Sequence, residues 1–563
     1  MKVVRPLILF VALLGLAFPV WAESPQTAEL VLINGRLWTG VEARPWAQAL
    51  AIRDHKILAV GTDAEIKALA DKSTEVIDLG GRLASPGFND AHIHFLSGSL
   101  GLDEVDLTGA RSLQAIQERV VAYAKAHPDR PWIYGRGWEY AYLPGKRLPT
   151  RQDLDAVIAD RPVYLRAYDG HTGWANSKAI ELAKITAQTK VEGIGEIVRD
   201  PKTGLPTGVF KEDAGSLIGK LIPDPTPEQE LTALKTGMKL LASLGITSMQ
   251  NASGSPEELA RYETLLQKGE LTVRTSVAFG VDGKESLKDL ETWKKLKDKY
   301  TGNPMLRAGA VKFFMDGVIE SHTAAMLAPY TDLPKQKGNP AYTQPEYNYV
   351  VGQYAQAGFQ LYTHAIGDRG VRMALNGYQY ASSIAPNVDP RFRIEHIEVV
   401  SPEDIPRFAQ IGVMPSMEPI HADPDTIEVW SKAVGPERVN RAFAWAELLK
   451  SGAHLVLSSD WPAAISLDPM RGLHNAVNRR TIEGNPPGGW IPKQRLTVEQ
   501  ALRGYTSAGA YASFEEKTKG QLAPGMWADI IVFSQDLFKI PTMDIYKTRV
   551  VLTIFDGKVL YRQ

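Results

Sequence analysis

Leu83-Ala84-Ser85-Pro86-Gly87-Phe88-Asn89-Asp90-Ala91-His92-Ile93-His94 is a short, mostly apolar run that ends on two histidines one residue apart. Alternate residues of a strand share a face, so an H-x-H pair can point two imidazoles at one ion. Seven further runs of this kind follow, at 246–251, 273–280, 310–317, 359–367, 392–396, 412–417 and 454–462. Each is apolar or β-branched, ends in a glycine or polar break, and is followed by a helical pattern, such as 256–267, 347–357 or 402–410. Eight such units predict an α/β fold, a TIM-type (β/α)8 barrel whose active site lies at the C-terminal ends of the strands.

The first gap is too long for a β/α link. Residues from about 113 to 221 therefore read as an insertion that caps the barrel mouth. The two chain ends share a different texture of short strands and turns. Asn34-Gly35 is a hairpin signal within 30–37, 48–60 pairs two runs about a turn near Asp54, and 76–79 ends at Gly80-Gly81. Near the other end, 528–533 and 550–555 read as strands, and Asp556-Gly557 turns into 558–561. The simplest topology is one small β-sandwich assembled from both ends, with the barrel between. The expected division is a signal peptide over 1–22, the N-terminal segment of the sandwich over 23–85, the barrel over 86–495, and a terminal helix with the C-terminal segment of the sandwich over 496–563.

The leader reading rests on Lys2 and Arg5, an apolar stretch over 7–20, and Val20-Trp21-Ala22 before Glu23. The stretch is short for a span of roughly 20 residues, which favours cleavage over anchoring and predicts a periplasmic or secreted protein. A net charge of −1, with 44% hydrophobic and 23% charged residues, argues for a soluble globular chain and against nucleic acid or anionic membrane as partner. A homo-oligomer is compatible with the sequence. There is no cysteine. Metal ligands must therefore come from histidine, carboxylate or a modified lysine.

Placed on the strands, His92 and His94 end the first, Lys312 lies in the fourth, His364 ends the fifth, His396 the sixth and Asp460 the eighth. Taken singly, each has a plain structural role: a core or loop histidine, a snorkelling lysine, an N-cap aspartate. Their convergence on one barrel mouth is what points to a metal centre, because the lower layers of a barrel need no polar groups. Imidazole and carboxylate suit zinc, as one or two ions, without excluding other divalent metals.

The 85–94 stretch resembles the first-strand signature of the amidohydrolase superfamily. Val311-Lys312-Phe313-Phe314-Met315-Asp316-Gly317 resembles the lysine strand of its amidohydrolase-3 branch, which includes N-substituted formamide deformylases. Thr363-His364-Ala365-Ile366-Gly367-Asp368, Arg393-Ile394-Glu395-His396 and Ser458-Ser459-Asp460-Trp461-Pro462 are similar to the branch's two histidine strands and its aspartate strand. The 520–529 segment resembles the return into the family's sandwich. The resemblance spans essentially the whole chain after the leader. It implies that His92 and His94 bind one ion and His364 and His396 another. It implies that Asp460 binds the first ion and acts as general base and then acid, and that Lys312 carries a carbamate as a bridging ligand. The residues alone leave Lys312 open between that role and pairing with Asp316 or Glu320.

The implied activity is metal-dependent hydrolysis of a carbon–nitrogen bond, of amide or N-acyl type, in a small molecule. A deaminase of a cyclic amidine on the same barrel, or an inactive periplasmic binding relative, are the other readings. His171, in Tyr168-Asp169-Gly170-His171-Thr172, resembles a family segment that reaches the site. It reads equally as a catalytic group that holds the carbonyl oxygen and as a loop histidine. Glu212 and Arg136 are further candidates for substrate binding. Trp132, Tyr134, Trp138, Tyr140 and Tyr142 form either a substrate wall or the insertion's own core. His55, His127, His454 and His474 read as structural or surface groups. Two departures, Asn89-Asp90 and the 318–322 segment Val-Ile-Glu-Ser-His, bear on substrate rather than on the metal site.

Overall fold

A computed structural model describes residues 27–139, 143, 147–167, 172–191, 195–387, 389 and 391–563. The leader, Tyr140, Tyr142 and His171 lie outside the described residues.

The eight strands form one parallel sheet in chain order: β1 (Phe88–Ile93), β2 (Ile246–Gly254), β3 (Arg274–Gly280), β4 (Leu306–Phe314), β5 (Gln360–Ala365), β6 (Arg393–His396), β7 (Met414–Met417) and β8 (Val456–Leu457). The last strand returns to the first. Asp460 N–H donates to the His92 carbonyl at 2.8 Å, and His94 N–H donates to the Trp461 carbonyl at 2.8 Å. The barrel thus closes, and its edges disappear.

The helices between strands have local causes. Pro227–Ser243 begins with proline in its first turn and a reciprocal Thr226–Gln229 capping box. Pro256–Gln267 uses Ser255 as cap, which accepts from Glu258 N–H. Ile405–Ile411 stops at Gly412, whose φ of 70° is the left-handed region glycine enters freely. These helices bury one face against the strands, as with Leu234, Met238 and Leu241 beside Ile246 and Met249.

The sandwich draws on both ends. One sheet runs Lys56–Gly61, Ala49–Arg53, Leu30–Ile33, Glu75–Asp78. The other places Leu83–Pro86 between Arg36–Trp38 and Ile530–Phe533, and continues through Val550–Phe555 to Lys558–Arg562. Leu32, Leu50 and Ile52 of the first sheet share a core with Ala84, Ile530, Val532 and Ile554 of the second. The hairpin expected at Asn34-Gly35 does not form. Leu30–Ile33 and Arg36–Trp38 belong to different sheets, and Asn34, at φ 52°, turns the chain from one to the other. The signal for the turn was sound; the pairing was decided by tertiary burial.

The insertion is a six-stranded sheet: Gly195–Arg199, Pro206–Glu212, Thr172–Ala175, Val163–Ala167, Ile133–Trp138 and Val105–Asp106. It starts ahead of residue 113, because Val105 already pairs with Gly135. Trp138 and Trp174 pack with Leu107, Ile116 and Val120 in one cluster, while Trp132 packs with Phe210 and Ile218 in another. The described aromatics therefore supply the insertion's own cores, with Tyr134 half-buried against the second.

Candidate metal centre

The strand register brings the ligands to one level. Phe314 is opposite His364, His364 opposite Glu395, and Ala365 opposite His396. His92, Lys312, His364, His396 and Asp460 are all buried, and the His94 side chain keeps 24% of its surface open to solvent. The His92 ring centre lies 5.4 Å from that of His94 and 4.9 Å from that of His396, which is 4.6 Å from His364.

Three groups converge at the eighth strand. Asp460 Oδ1 is 3.1 Å from His94 Nε2 and 3.4 Å from His92 Nε2. Yet this oxygen, fully enclosed, has no hydrogen bond of acceptable geometry among the described residues. Buried polar atoms are ordinarily satisfied. An orphaned carboxylate oxygen facing two imidazole nitrogens fits a cation held jointly by His92, His94 and Asp460. Burial works against the Asp460 charge, but the surrounding imidazoles hold its pKa well below the usual carboxylate range.

The histidines are oriented from behind. His92 Nδ1 lies 2.7 Å from Glu395 Oε2, and His396 Nδ1 lies 2.9 Å from Glu418 Oε2. Each glutamate oxygen accepts a hydrogen bond from Nδ1–H, a tautomer that leaves the Nε2 lone pair free for a metal. Glu395 is in turn clamped by Arg393, whose Nε donates to Oε1 at 2.9 Å and an Nη to Oε2 at 3.1 Å. Glu418 also accepts from Ser458 Oγ at 2.9 Å. Burial, chiefly, keeps the imidazoles neutral: His92 and His364 sit well below the ordinary histidine value, and His396 falls to about 3.

Lys312 Nζ is 3.3 Å from His92 Nε2 and 4.7 Å from the centre of the Phe314 ring. Burial pushes its pKa down, and an amine so placed is easier to deprotonate. The pairing with Asp316 is not what the structure shows. That carboxylate is engaged by the backbone N–H groups of Ala325, Ile366 and Gly367 at 2.8, 3.0 and 2.9 Å. His364 Nε2 is 3.2 Å from the Gly317 carbonyl and 3.7 Å from Asp316.

The inserted sheet carries the other candidates. Arg136 lies on Ile133–Trp138 beside Arg166 of the neighbouring strand, with Glu104 close enough to act on its charge. Glu212 ends Pro206–Glu212 with a φ of 49°. The four histidines read as structural are so. His55 faces Asp556, His127 stacks on Tyr123, His454 stacks on Tyr511, and buried His474 bonds to the Arg480 and Thr481 carbonyls.

Sequence reading missed four groups. Glu395 sat unassigned beside His396 in its strand. Glu418 is the residue after β7, where the strand-end rule that found Asp460 also applies. His421 follows in the short helical turn Pro419–Ala422, stacked on His396 at 5.8 Å, with Nε2 3.5 Å from Asp460 Oδ2. Glu398, which accepts from Trp430 Nε1 at 2.6 Å, stands 3.8 Å behind His421 Nδ1.

A closed parallel barrel with strand-end histidines, a buried lysine and an aspartate just past its last strand is the arrangement of a metal-dependent hydrolase. An amidohydrolase family model matches residues 75–561, and the chain belongs to that family. It is 30% identical to Protein LONG AFTER FAR-RED 3 of Arabidopsis thaliana, over 95% of this chain and 92% of that one. It is 26% identical to an N-substituted formamide deformylase of Arthrobacter pascens, over 96% of this chain and 99% of that one. Among solved structures it resembles an uncharacterized metal-dependent hydrolase from Pyrococcus furiosus, with TM-score 0.74 and 28% identity, covering 91% of this chain and 100% of that one. A counterpart from Pyrococcus horikoshii gives TM-score 0.74 and 26% identity, covering 91% of this chain and 99% of that one.

Proposed function

We propose that this chain is an exported enzyme that hydrolyses a carbon–nitrogen bond of amide or N-acyl type in a small molecule, with Asp460 as general base and then acid. The observation that carries the reading is the orphaned Asp460 Oδ1 between His92 Nε2 and His94 Nε2. A bound divalent cation supplies Lewis acidity and lowers the pKa of water from 15.7 to about 7. His92, His94 and Asp460 would hold it, with His364 and His396 available for a second ion. Asp460, kept ionised, takes a proton from the attacking water and returns it to the leaving nitrogen. His421 Nε2 stands 3.5 Å from Asp460 Oδ2 and, like Asp460 Oδ1, makes no hydrogen bond among the described residues, which leaves it available to the same site. The full burial of Lys312 and its lowered pKa support a neutral amine able to add carbon dioxide as a carbamate.

Phe314 is 43% exposed although its ring lies 5.5 Å from that of His364. An exposed aromatic beside the ligands supports an apolar substrate group. The amide preference rests on the formamide deformylase likeness, and export rests on the leader. The test is a panel of N-formyl amines, N-acyl amines, esters, lactones and cyclic amidines, with and without chelator. Chelator-sensitive release of amine from the amides is expected. Turnover of the amidines alone would overturn the reading in favour of a deaminase.

A further inference from the structure

Arg479 ends the helix Pro469–Asn478 in a left-handed conformation, at φ 54°. Its side chain is 0% exposed and lies between two tryptophans, with the guanidinium carbon 4.4 Å from the Trp445 ring centre and 4.7 Å from that of Trp490. Nε donates to the Trp490 carbonyl at 2.8 Å. Neither Nη group has a hydrogen-bond partner among the described residues. No acidic side chain forms an ion pair with it among the described residues, and burial alone lowers its pKa, to about 9. Arginine does not surrender its proton in proteins. The aromatic faces offset part of the cost of enclosing this charge, but they accept no conventional hydrogen bond from the Nη groups.

Two neighbours show the same imbalance. Trp445, stacked on Arg479, has a buried Nε1–H without an acceptor. Gln494, also fully buried, uses Oε1 to accept from the Ala446 and Glu447 N–H groups at 3.1 and 3.2 Å, which leaves its Nε2 without an acceptor. The orphaned groups of these three side chains are all donors, and one of them is charged. Water would accept hydrogen bonds but would leave the charge uncompensated.

We infer that this junction binds a small monovalent anion of the halide class, held by the Arg479 Nη groups with Trp445 Nε1 and Gln494 Nε2 as neighbouring donors. Complete enclosure of Arg479 favours a halide over the carboxylate of a substrate. The site stands behind the metal centre. Trp490 packs on Trp430 at 5.7 Å, and Trp430 Nε1 donates to Glu398, the carboxylate behind His421.

The test uses the metal-loaded full chain, dialysed into sodium gluconate and then titrated with sodium bromide at constant ionic strength. Thermal stability rises with bromide, and crystals grown in bromide show an anomalous peak within hydrogen-bonding distance of the Arg479 Nη atoms. Trp445→Phe keeps an aromatic face, deletes the Nε1–H donor, and raises the half-saturating bromide concentration about tenfold, the scale of one hydrogen bond to a charged group. Arg479→Met abolishes the response. If that variant does not fold, the anomalous map and Trp445→Phe still decide. A map without a peak at Arg479, or a bromide midpoint that Trp445→Phe leaves unchanged, overturns the inference.

Discussion

The backbone N–H of Asp460 donates to the carbonyl of His92 at 2.8 Å. With its companion, from His94 N–H to the Trp461 carbonyl at 2.8 Å, this bond closes the barrel and ties together two strand ends whose side chains face the same cation. Asp460 takes a φ of 58° there, a left-handed conformation that a non-glycine residue enters only at a cost. The geometry of the site is thus held by the fold's own closure.

Asp460→Asn keeps the shape of that strand end and removes the base. Its kcat/KM should fall by at least about 10²–10⁴, the range for general base loss. Metal content by elemental analysis should stay within about half of the wild-type value, since His92 and His94 remain. Wild-type turnover in this variant would remove Asp460 from the proton path.

Glu418 acts through His396 and not on substrate. Burial raises the Glu418 pKa to about 8, and Glu418→Gln can still accept a hydrogen bond from His396 Nδ1–H but can no longer ionise behind the ring. Metal affinity, read by competition with a chromogenic chelator, should drop about 10–100-fold, as for other partners behind a metal-bound histidine. An unchanged affinity would show that His396 is oriented by packing alone.

The buried imidazoles give the metal-free protein a directional pH dependence. His396 titrates near 3 when folded, against 6.5 in a free chain, and His92 and His364 are shifted the same way. Below pH 6.5 the unfolded chain binds protons that the folded chain refuses, so unfolding becomes easier as pH falls. This contribution is full above 6.5 and declines as pH falls from there towards 3, while Asp90 and Asp316, which burial raises to about 7, act in the opposite sense as pH falls through 7. The imidazole part is therefore read by difference: in thermal melts of the chelated proteins, wild type should lose stability relative to His396→Asn as pH falls below 6.5.

Metal should stabilise the folded chain by mass action. At a free concentration 100 times the dissociation constant the gain is about 2.7 kcal/mol. Scanning calorimetry before and after chelation, with restoration on adding zinc, measures it. Equal melting temperatures would mean that the metal contributes nothing to the fold.

Gly98 leaves room for the Trp461 ring. A Cβ at this position would come within 2.2 Å of the indole. Gly98→Ala should push Trp461, and with it the neighbouring Asp460, off position. A shift near 1 Å costs about 10²-fold in rate. The expected signature is a fall in kcat with metal content retained.

The eight barrel strands were legible because each pairs a short apolar run with a glycine or polar break. Their ends located His92, His94, Lys312, His364, His396 and Asp460. Glu418 was passed over although it follows a strand end as Asp460 does, and Glu395 was not found because a buried glutamate within a strand has no sequence pattern of its own. Its partner comes from a strand distant in sequence, as with His92 and Glu395. The Asn34-Gly35 turn was visible, but the sheet each flanking strand joins is set by partners outside the turn: Ala49–Arg53 and Glu75–Asp78 for Leu30–Ile33, and Leu83–Pro86 for Arg36–Trp38. Trp132 and Trp138 were ambiguous because an aromatic cluster looks the same whether it faces a ligand or its own core.

The sandwich seam has a consequence for biosynthesis. Leu83–Pro86 borders the barrel's first strand, yet one of its sheet neighbours is Ile530–Phe533. During translation the early strand waits for almost the whole polypeptide before that edge is covered. Loss of the last segment would leave the strand open to pairing with another chain. The order of synthesis thus leaves Leu83–Pro86 a sticky edge until Ile530–Phe533 has been made and has docked on it.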